Sequence, residues 1–215
     1  MDGMVKLLIT KIMRSHWKVS DSVSIIKSLL LYPKNIFISI SIKRIGRGKI
    51  VAKDPFFFGI CSNKVGLDPN AKGILEIKNG VTFSIGKNVR IARACKLYLN
   101  NNFYIGDNTY IMPNALILCT TNSTIGDNCA ISWNFQLLDS DLHHVLIDGN
   151  ETQNCLPVTI GNHVWIGNNV TILKGVTIGN NVIIAAGSVV TKSFSDNTLI
   201  GGNPAEIIKS GINWK

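Results

Sequence analysis

The chain has 215 residues, of which 46% are hydrophobic and 16% are charged, and its formal net charge at pH 7 is +9. This length suits one ordinary domain with appendages, and no apolar run approaches the roughly 20 residues that a membrane-spanning helix needs. The five cysteines are odd in number and match neither a zinc-ligand spacing nor a disulfide framework, which predicts a cytoplasmic protein.

The positive charge is confined to the N-terminal part of the chain. Residues 1–53 contain eleven Lys or Arg and two Asp, whereas residues 54–215 contain eleven basic and eleven acidic residues. Cationic amphipathic segments can lie on an anionic membrane surface, which is one interpretation of this distribution. The other is a helical cap over the end of the following domain, with a solvated basic face.

Residues 1–34 are predicted to form this basic helical extension. Residues 4–13 and 23–31 both have helix-like patterns. Lys6 and Lys11 interrupt the apolar stretch that a signal peptide would need, so no signal peptide is predicted.

Residues 35–76 are predicted to contain the first strands and irregular coils. The run from Asn35 to Ile42 has Ile at every second position, which predicts one strand. Residues 50–77 contain strand-like pieces and Gly-rich breaks without a clean repeat. Repeat proteins need such atypical ends to shield the terminal core.

Beyond residue 77 an aliphatic residue returns at every sixth position, and two extra residues enter at the same corner of each early coil. This period fits neither a helix, near 3.6, nor a strand, near 2. The chain must therefore turn a corner after each short strand, three strands closing one coil and coils stacking at roughly 4.8 Å. The periodic residues are Ile85, Ile91, Leu97, Ile105, Ile111, Ile117, Ile125, Ile131, Leu137, Ile160, Ile166, Ile172, Ile178, Ile184 and Val190.

The segment of about residues 138–156 interrupts this period and is predicted to leave the prism as a loop. Long loops in compact repeats are uncommon and usually functional. This one contains Asp139, Asp141, His143 and His144. By contrast, Cys95 and Cys129 occupy inward positions of the repeat and are predicted to be core residues rather than nucleophiles.

Residues 193–215 form a tail that leaves the period. Its residues 205–210 follow Pro204 and are predicted to form a short C-terminal helix.

Together these segments resemble the hexapeptide-repeat acyltransferases. The resemblance covers about residues 77–209 and rests on the repeat, on the loop motif D-x-D-x-H, on P-V-T-I-G-N-H-V-W-I-G, and on the tail G-G-N-P-A-E-I-I-K. The chain is most similar to the sugar O-acetyltransferases of the maltose, galactoside and surface-polysaccharide type. The resemblance implies an all-β fold, a left-handed parallel β-helix over residues 77–192, although crossovers between parallel strands are usually right-handed.

Acetyl transfer from a thioester to a hydroxyl needs a base that takes the hydroxyl proton and returns it to the leaving thiolate. A histidine with a pKa of roughly 6.5 suits both steps. The resemblance implies His143 as this base, with Asp141 or Asp139 fixing its tautomer. His144 stands where the family often has Pro, and it remains an alternative base.

The resemblance also implies binding residues. Asn114 aligns with the family's acceptor-binding asparagine, although a corner residue in the left-handed region is an equal alternative. Trp133 would be a platform for a sugar ring or would be buried against a neighbouring subunit. The predicted acceptor set is Asn114, Trp133, Asp139 and His144. The predicted coenzyme A set is Trp165, Asn168, Ala185, Ala186, Thr191, Lys192 and Lys209, with simple packing as the alternative for the alanines and with the acidic Glu206 where relatives often have a basic residue.

The sequence thus predicts an acetyl-CoA-dependent O-acetyltransferase acting on a saccharide, a surface polysaccharide unit or its precursor, at the inner face of the membrane. The resemblance implies a homotrimer with coenzyme A between subunits, and neither a metal nor a nucleic acid is expected. The alternatives are a small free sugar, amino sugar or antibiotic as acceptor, a γ-type carbonic anhydrase with zinc on His143, His144 and His163, or a noncatalytic scaffold. O- against N-acetylation stays open.

Overall fold

The computed structural model describes residues 19–32, 35–59 and 71–215. Its described part begins with helix α1 (Val19–Leu31) and continues as a left-handed parallel β-helix, as predicted. Three long sheets form the sides of a triangular prism, and successive coils add one strand to each side.

The strands of the three sides pair in parallel, coil upon coil, except for the last strand of sheet A. Sheet A contains β1 (Ile36–Ile38), β4 (Phe56–Phe58), β7 (Arg90–Ile91), β10 (Tyr110–Ile111), β13 (Ala130–Ile131), β18 (Trp165–Ile166), β21 (Ile183–Ile184), β23 (Thr198–Gly202) and β24 (Ala205–Ser210). Sheet B contains β2 (Ile42–Ile45), β5 (Gly73–Ile77), β8 (Lys96–Leu99), β11 (Leu116–Cys119), β14 (Gln136–Leu138), β19 (Thr171–Leu173) and β22 (Val189–Val190). Sheet C contains β3 (Lys49–Ala52), β6 (Thr82–Ile85), β9 (Phe103–Ile105), β12 (Thr124–Ile125), β17 (Thr159–Ile160) and β20 (Thr177–Ile178).

The residues of the six-residue period fill the interior of the prism, which confirms that prediction. Neighbouring coils pair in register, for example Ile111 with Ile131 and Ile117 with Leu137, and these side chains are buried. Burying one such side chain contributes about 1.5–3 kcal/mol. The stacked aliphatic column is therefore the main source of stability, because each coil covers the apolar face of the next.

From β6 onward, two of the three edges turn through a single residue in the left-handed region. At the edge between sheets A and B these residues are Ala94, Asn114, Asn134, Asn169 and Gly187, and at the edge between sheets C and A they are Asn88, Asn108, Asn128, His163, Asn181 and Asn197. Asn tolerates this conformation better than other residues with a Cβ. The third edge, between sheets B and C, holds the predicted extra residues near Asn101 and Thr121.

The N-terminal end is more regular than predicted. The run from Asn35 to Ile42 is not one strand, because Ser39 and Ser41 form a corner, their hydroxyls 2.9 Å apart, between β1 in sheet A and β2 in sheet B. The strands β1 to β4 already pair in register with later coils, so the prism begins at Ile36 rather than near residue 77.

The predicted helix over residues 23–31 is confirmed as part of α1, while the pattern over residues 4–13 lies outside the described residues. α1 covers the edge strand β1 with hydroxyl groups: the backbone N–H of Ile38 donates to Ser28 Oγ at 2.9 Å, and that of Ile40 donates to Ser24 Oγ at 3.0 Å. No helix in the described part of the chain is long and apolar enough to cross a membrane.

The predicted C-terminal helix over residues 205–210 is wrong. These residues form β24, which runs antiparallel to β23 and pairs Gly202 with Ala205. The strand is favoured because β23 is the edge of the last coil and needs partners for its backbone groups. The β-branched residues Ile207 and Ile208 also favour a strand over a helix.

Candidate active-site loop and its surroundings

The predicted loop leaves the prism after β14 and returns at β17, at the edge between sheets B and C. We call residues 139–158 the extruded loop. Its distal part is an antiparallel hairpin of β15 (Leu146–Ile147) and β16 (Asn150–Glu151). Asp148 and Gly149 turn this hairpin with φ of 49° and 80°, as expected for an Asp-Gly turn with two left-handed residues.

Asp139 anchors the root of the extruded loop. It is 0% exposed, and its carboxylate accepts hydrogen bonds from the backbone N–H and hydroxyl groups of Thr120 and Thr121, at 2.6–2.9 Å, and from the hydroxyl of Ser123 at 2.8 Å. In this structure its carboxylate therefore contacts the corner residues and not His143, and these contacts do not support its predicted roles, binding the acceptor or orienting His143. The corner residues Thr120 to Ser123 carry several hydrogen-bond donors, and this was the signal in the sequence for a buried carboxylate.

The stem of the loop is held by a second set of contacts. The backbone N–H of Asp141 donates to the carbonyl of Asn154 at 2.8 Å. Lys174 Nζ lies 2.8 Å from Asp141 Oδ2 and donates to the carbonyl of Gln153 at 2.6 Å. Sequence reasoning missed Lys174, which stands where the blocks I-G-N-H-V-W, I-G-N-N-V-T and I-G-N-N-V-I have Asn. In this chain the Asp141 carboxylate faces Lys174 rather than His143.

Both loop histidines are exposed, and they differ in their partners. Nδ1 of His144 is hydrogen-bonded to Glu151 Oε1. Within the described residues the imidazole of His143 has no hydrogen-bond partner. The imidazole–carboxylate pair expected for His143 is thus present at His144, and Glu151 was missed because it lies across the hairpin rather than beside His144 in sequence.

His163 lies on a different edge from the loop histidines. It takes the asparagine position of the edge between sheets C and A, with φ of 56°, and its ring stacks on Trp214 at a centroid distance of 4.2 Å. Among the described residues no three His, Cys, Asp or Glu side chains lie close enough together to share a metal ion. One chain therefore does not gather the three imidazoles of the carbonic anhydrase alternative.

The predicted binding residues Asn114, Trp133 and Asn168 form a column along the edge between sheets A and B. Backbone N–H groups of one coil donate to carbonyls of the previous coil: Asn169 to Trp133 at 3.0 Å, and Gly187 to Asn168 at 2.8 Å. Asn114 has a φ of 64°, so it is a corner residue, and its side chain is exposed.

Ala185 and Ala186 continue this column into the next coil. A Cβ added at Gly167 would lie 2.6 Å from the backbone nitrogen of Ala186. The backbones of the two coils therefore approach closely here, which accounts for a small residue at Gly167 by packing alone.

The remaining predicted coenzyme A residues are spread over the top of the prism. Trp165 points outward from sheet A and is 43% exposed. Lys209 lies on β24, where it pairs in register with Leu199 of β23. Thr191 directly follows β22. Lys192 Nζ lies 2.7 and 2.6 Å from the two carboxylate oxygens of Glu206, so its charge is already balanced in this structure.

The cysteines at inward positions of the repeat behave as predicted. Cys95 and Cys129 are buried core residues, as is Cys119. Burial raises the pKa of the Cys95 and Cys119 thiols to about 12 and that of Cys129 to about 11. Thiols with such pKa values are protonated at neutral pH and are poor nucleophiles.

Comparison with known proteins places this architecture among characterised folds. Residues 157–192 match the family described as bacterial transferase hexapeptide (six repeats). A hexapeptide-repeat acetyltransferase of Vibrio cholerae O1 biovar eltor, solved with acetyl coenzyme A, is 33% identical, with a TM-score of 0.53 over 60% of this chain and 70% of that one. The polySia-specific acetyltransferase NeuO is 26% identical, with a TM-score of 0.55 over 81% of this chain and 89% of that one.

Among curated sequences, the galactoside O-acetyltransferase of Escherichia coli K12 is 38% identical over 131 residues. That match covers 60% of this chain and 57% of the relative. The chain therefore spans little more than half the length of this relative.

Proposed function

We propose that this chain, which belongs to the hexapeptide-repeat acetyltransferases, transfers an acetyl group from acetyl-CoA to a hydroxyl of a saccharide, a surface polysaccharide or its precursor. The observation that carries the proposal is the extruded loop, which presents two exposed histidines, His143 and His144, beside the prism. Relatives named for galactoside and polysialic acid as acceptors, and a structural neighbour solved with acetyl coenzyme A, support it.

His143 is the proposed general base. Its exposed imidazole takes the proton of the acceptor hydroxyl while the oxygen attacks the thioester carbonyl. The tetrahedral intermediate then collapses, the carbon–sulfur bond breaks, and the imidazolium returns the proton to the leaving thiolate. The position of His143 in the motif D-x-D-x-H favours it, whereas the contact with Glu151 favours His144 as the second candidate, since a carboxylate on Nδ1 leaves Nε2 free to accept a proton.

The proposed site is shared between subunits. In one chain the column of Asn114, Trp133 and Asn168 lies at the edge between sheets A and B, while the extruded loop leaves from the edge between sheets B and C. The outer face of sheet B separates the two groups. A cyclic trimer, in which the loop of one subunit reaches the column of the next, would unite base, acceptor and coenzyme A.

Thiol release from acetyl-CoA tests the proposal. The native protein would be incubated with a panel of neutral and acidic saccharides, and acceptor-dependent release is expected. His143→Ala should abolish it, while His144→Ala should leave most of it. Asp148→Ala, an exposed change in the same hairpin, is the matched control. The absence of release with every acceptor, together with no calorimetric binding of coenzyme A, would contradict the proposal.

The proposed location is the inner face of the membrane, with α1 against the lipid surface. α1 turns Ser24 and Ser28 toward the prism and leaves Ile26 and Leu30 61% and 80% exposed. An apolar helix face in a strongly basic segment fits an anionic membrane. Sedimentation with anionic vesicles should decrease for Ile26→Ser/Leu30→Ser and not for the control Val51→Ser, an exposed aliphatic residue of sheet C. Equal sedimentation of all three proteins would contradict this placement.

A further inference from the structure

A long groove follows the lower part of the edge between sheets A and B and overlaps the lower end of the column of predicted binding residues. Its upper part has a volume of about 800 Å³ and reaches from Lys72 to Gln136, with Asn114 in its wall. A second hollow of about 510 Å³ continues from Lys72 toward α1. Lys72 lines both hollows, which therefore adjoin and follow one another away from Asn114 along the prism, and we call them together the groove.

The walls of this groove are basic. Lys27, Lys43, Lys72 and Lys96 line it and are exposed, and the lining that the structure describes contains no Asp or Glu. The acid nearest in register on this face is Glu76, which is half-buried beside Tyr98.

These lysines also lack the ion pairs that other lysines of the chain make. Lys53, Lys174 and Lys192 each lie within 2.6–3.4 Å of a carboxylate oxygen. Within the described ranges, none of the four groove lysines has such a partner. Unbalanced cations along a concave surface raise the local concentration of anions.

The cations are arranged along the prism axis. Lys43 pairs in register with Ile74, which pairs with Lys96, so these two lysines are separated by two strand spacings, roughly 9.6 Å. Lys72 adjoins Gly73, the partner of Ile42, and lies in the coil between them. A ligand with a single charge would meet one of these lysines, whereas an extended chain with repeated charges would meet several.

The upper part of the groove offers different chemistry. Tyr98 and Leu116 supply an aromatic ring and an aliphatic surface, and Asn114 and Gln136 supply amides. Sugar rings have apolar faces that pack on aromatic side chains and hydroxyls that pair with amides. The groove therefore combines sugar-compatible contacts near Asn114 with a row of cations further along.

We propose that the acceptor is a polyanionic saccharide, with repeated carboxylate or phosphate groups, that lies along this groove with its reacting hydroxyl near Asn114. The proposal rests on the acetyl transfer proposed above and specifies its substrate class. Neutral saccharides would make the contacts near Asn114 but would gain nothing from Lys43, Lys72 and Lys96.

Direct binding tests the groove separately from catalysis. Calorimetry on the full chain would compare oligomers of α2,8-linked sialic acid, poly(glycerol phosphate) and neutral malto-oligosaccharides of matched length. One of the two anionic series should bind more tightly as its length increases, and the binding should weaken with salt. Which series binds distinguishes carboxylate from phosphate. Equal binding of the neutral series would overturn the proposal.

Charge reversal locates the binding surface. The double variant Lys72→Glu/Lys96→Glu should weaken the binding of anionic oligomers about tenfold. It should raise KM and leave kcat nearly unchanged. Lys78→Glu, at the opposite edge of sheet B, is the matched control and should do neither. Unchanged affinity in the double variant would overturn the proposal. A change in the molecular mass of the double variant in solution would also overturn it, because the lysines would then be subunit contacts. A loss of vesicle binding alone would overturn it too, because the lysines would then be membrane contacts.

The two proposals fail in different ways. Anionic oligomers that bind in the groove without any thiol release would contradict acetyl transfer and leave the groove assigned. Thiol release with neutral acceptors that is insensitive to Lys72→Glu/Lys96→Glu would contradict the groove and leave the transfer intact.

Discussion

At both edges of sheet B the backbone turns from one side of the prism to the next, but the two edges differ in how they do so. The edge toward sheet A turns through one left-handed residue per coil, from Ala94 to Gly187. The edge toward sheet C holds a few extra residues in two coils, and the whole extruded loop in the next. In the coils from Ala94 onward, the insertions and the exposed loop histidines lie at the same edge, where the stacking of the coils does not depend on the inserted residues.

The largest expected effect is on catalysis, at the edge between sheets B and C, where His143 is the proposed base. His143→Ala should lower kcat/KM by about 10²–10⁴-fold, the usual contribution of a general base. The melting temperature should stay within about 2 °C, because exposed substitutions away from special features change stability little. Thiol-release kinetics and thermal unfolding measure both. Comparable activity in His143→Ala and the native protein would remove the base from this edge.

The second prediction separates the root of the loop from its tip. Asp139→Ala leaves the hydroxyl and N–H donors of Thr120 and Thr121 without their acceptor, so the free energy of unfolding should fall by at least about 2 kcal/mol. Urea unfolding measures this loss. The stability of Asp139→Asn should lie between those of the native protein and Asp139→Ala. Asp148→Ala, at the exposed turn, should be nearly neutral. Equal stability of Asp139→Ala and Asp148→Ala would contradict the anchoring role.

The third prediction concerns the edge between sheets A and B. Gly167→Ala places a Cβ against the backbone of Ala186 at 2.6 Å, and the coils must separate to accept it. Overpacking of this kind costs about 1–3 kcal/mol. Thermal unfolding should show the loss, while Ser132→Ala, one coil earlier in the same column, should not. An unchanged melting temperature for Gly167→Ala would show that the coils at the edge between sheets A and B accept a Cβ there more easily than their geometry indicates.

The smallest expected effect is at the stem. Lys174→Met removes the ion pair with Asp141 and the hydrogen bond to Gln153, contacts that are half-exposed and worth about 0.5–1 kcal/mol. Amide hydrogen exchange should become faster in the extruded loop and stay unchanged in β19. Uniformly unchanged exchange in the loop would show that the stem is held without Lys174.

Much of the prism could be predicted from the sequence, because the period of six is a local pattern that each coil repeats independently. The predictions failed at both ends of the prism. Asn35 to Ile42 alternates like a strand, yet the chain turns at Ser39 because β1 and β2 must lie on different sides of the first coil. Residues 205–210 form β24 because the edge of β23 needs a partner, which no local pattern reveals.

The candidate site divides in the same way. The hexad core, the loop and its histidines could be predicted, because these depend on residue type and spacing along the chain. Four features became visible only in three dimensions: the burial of Asp139 as an anchor, the contact of Glu151 with His144, the contact of Lys174 with Asp141, and the groove lined by four lysines. Such pairings join residues of different coils or opposite strands, and their distances in space bear no fixed relation to their separation in sequence.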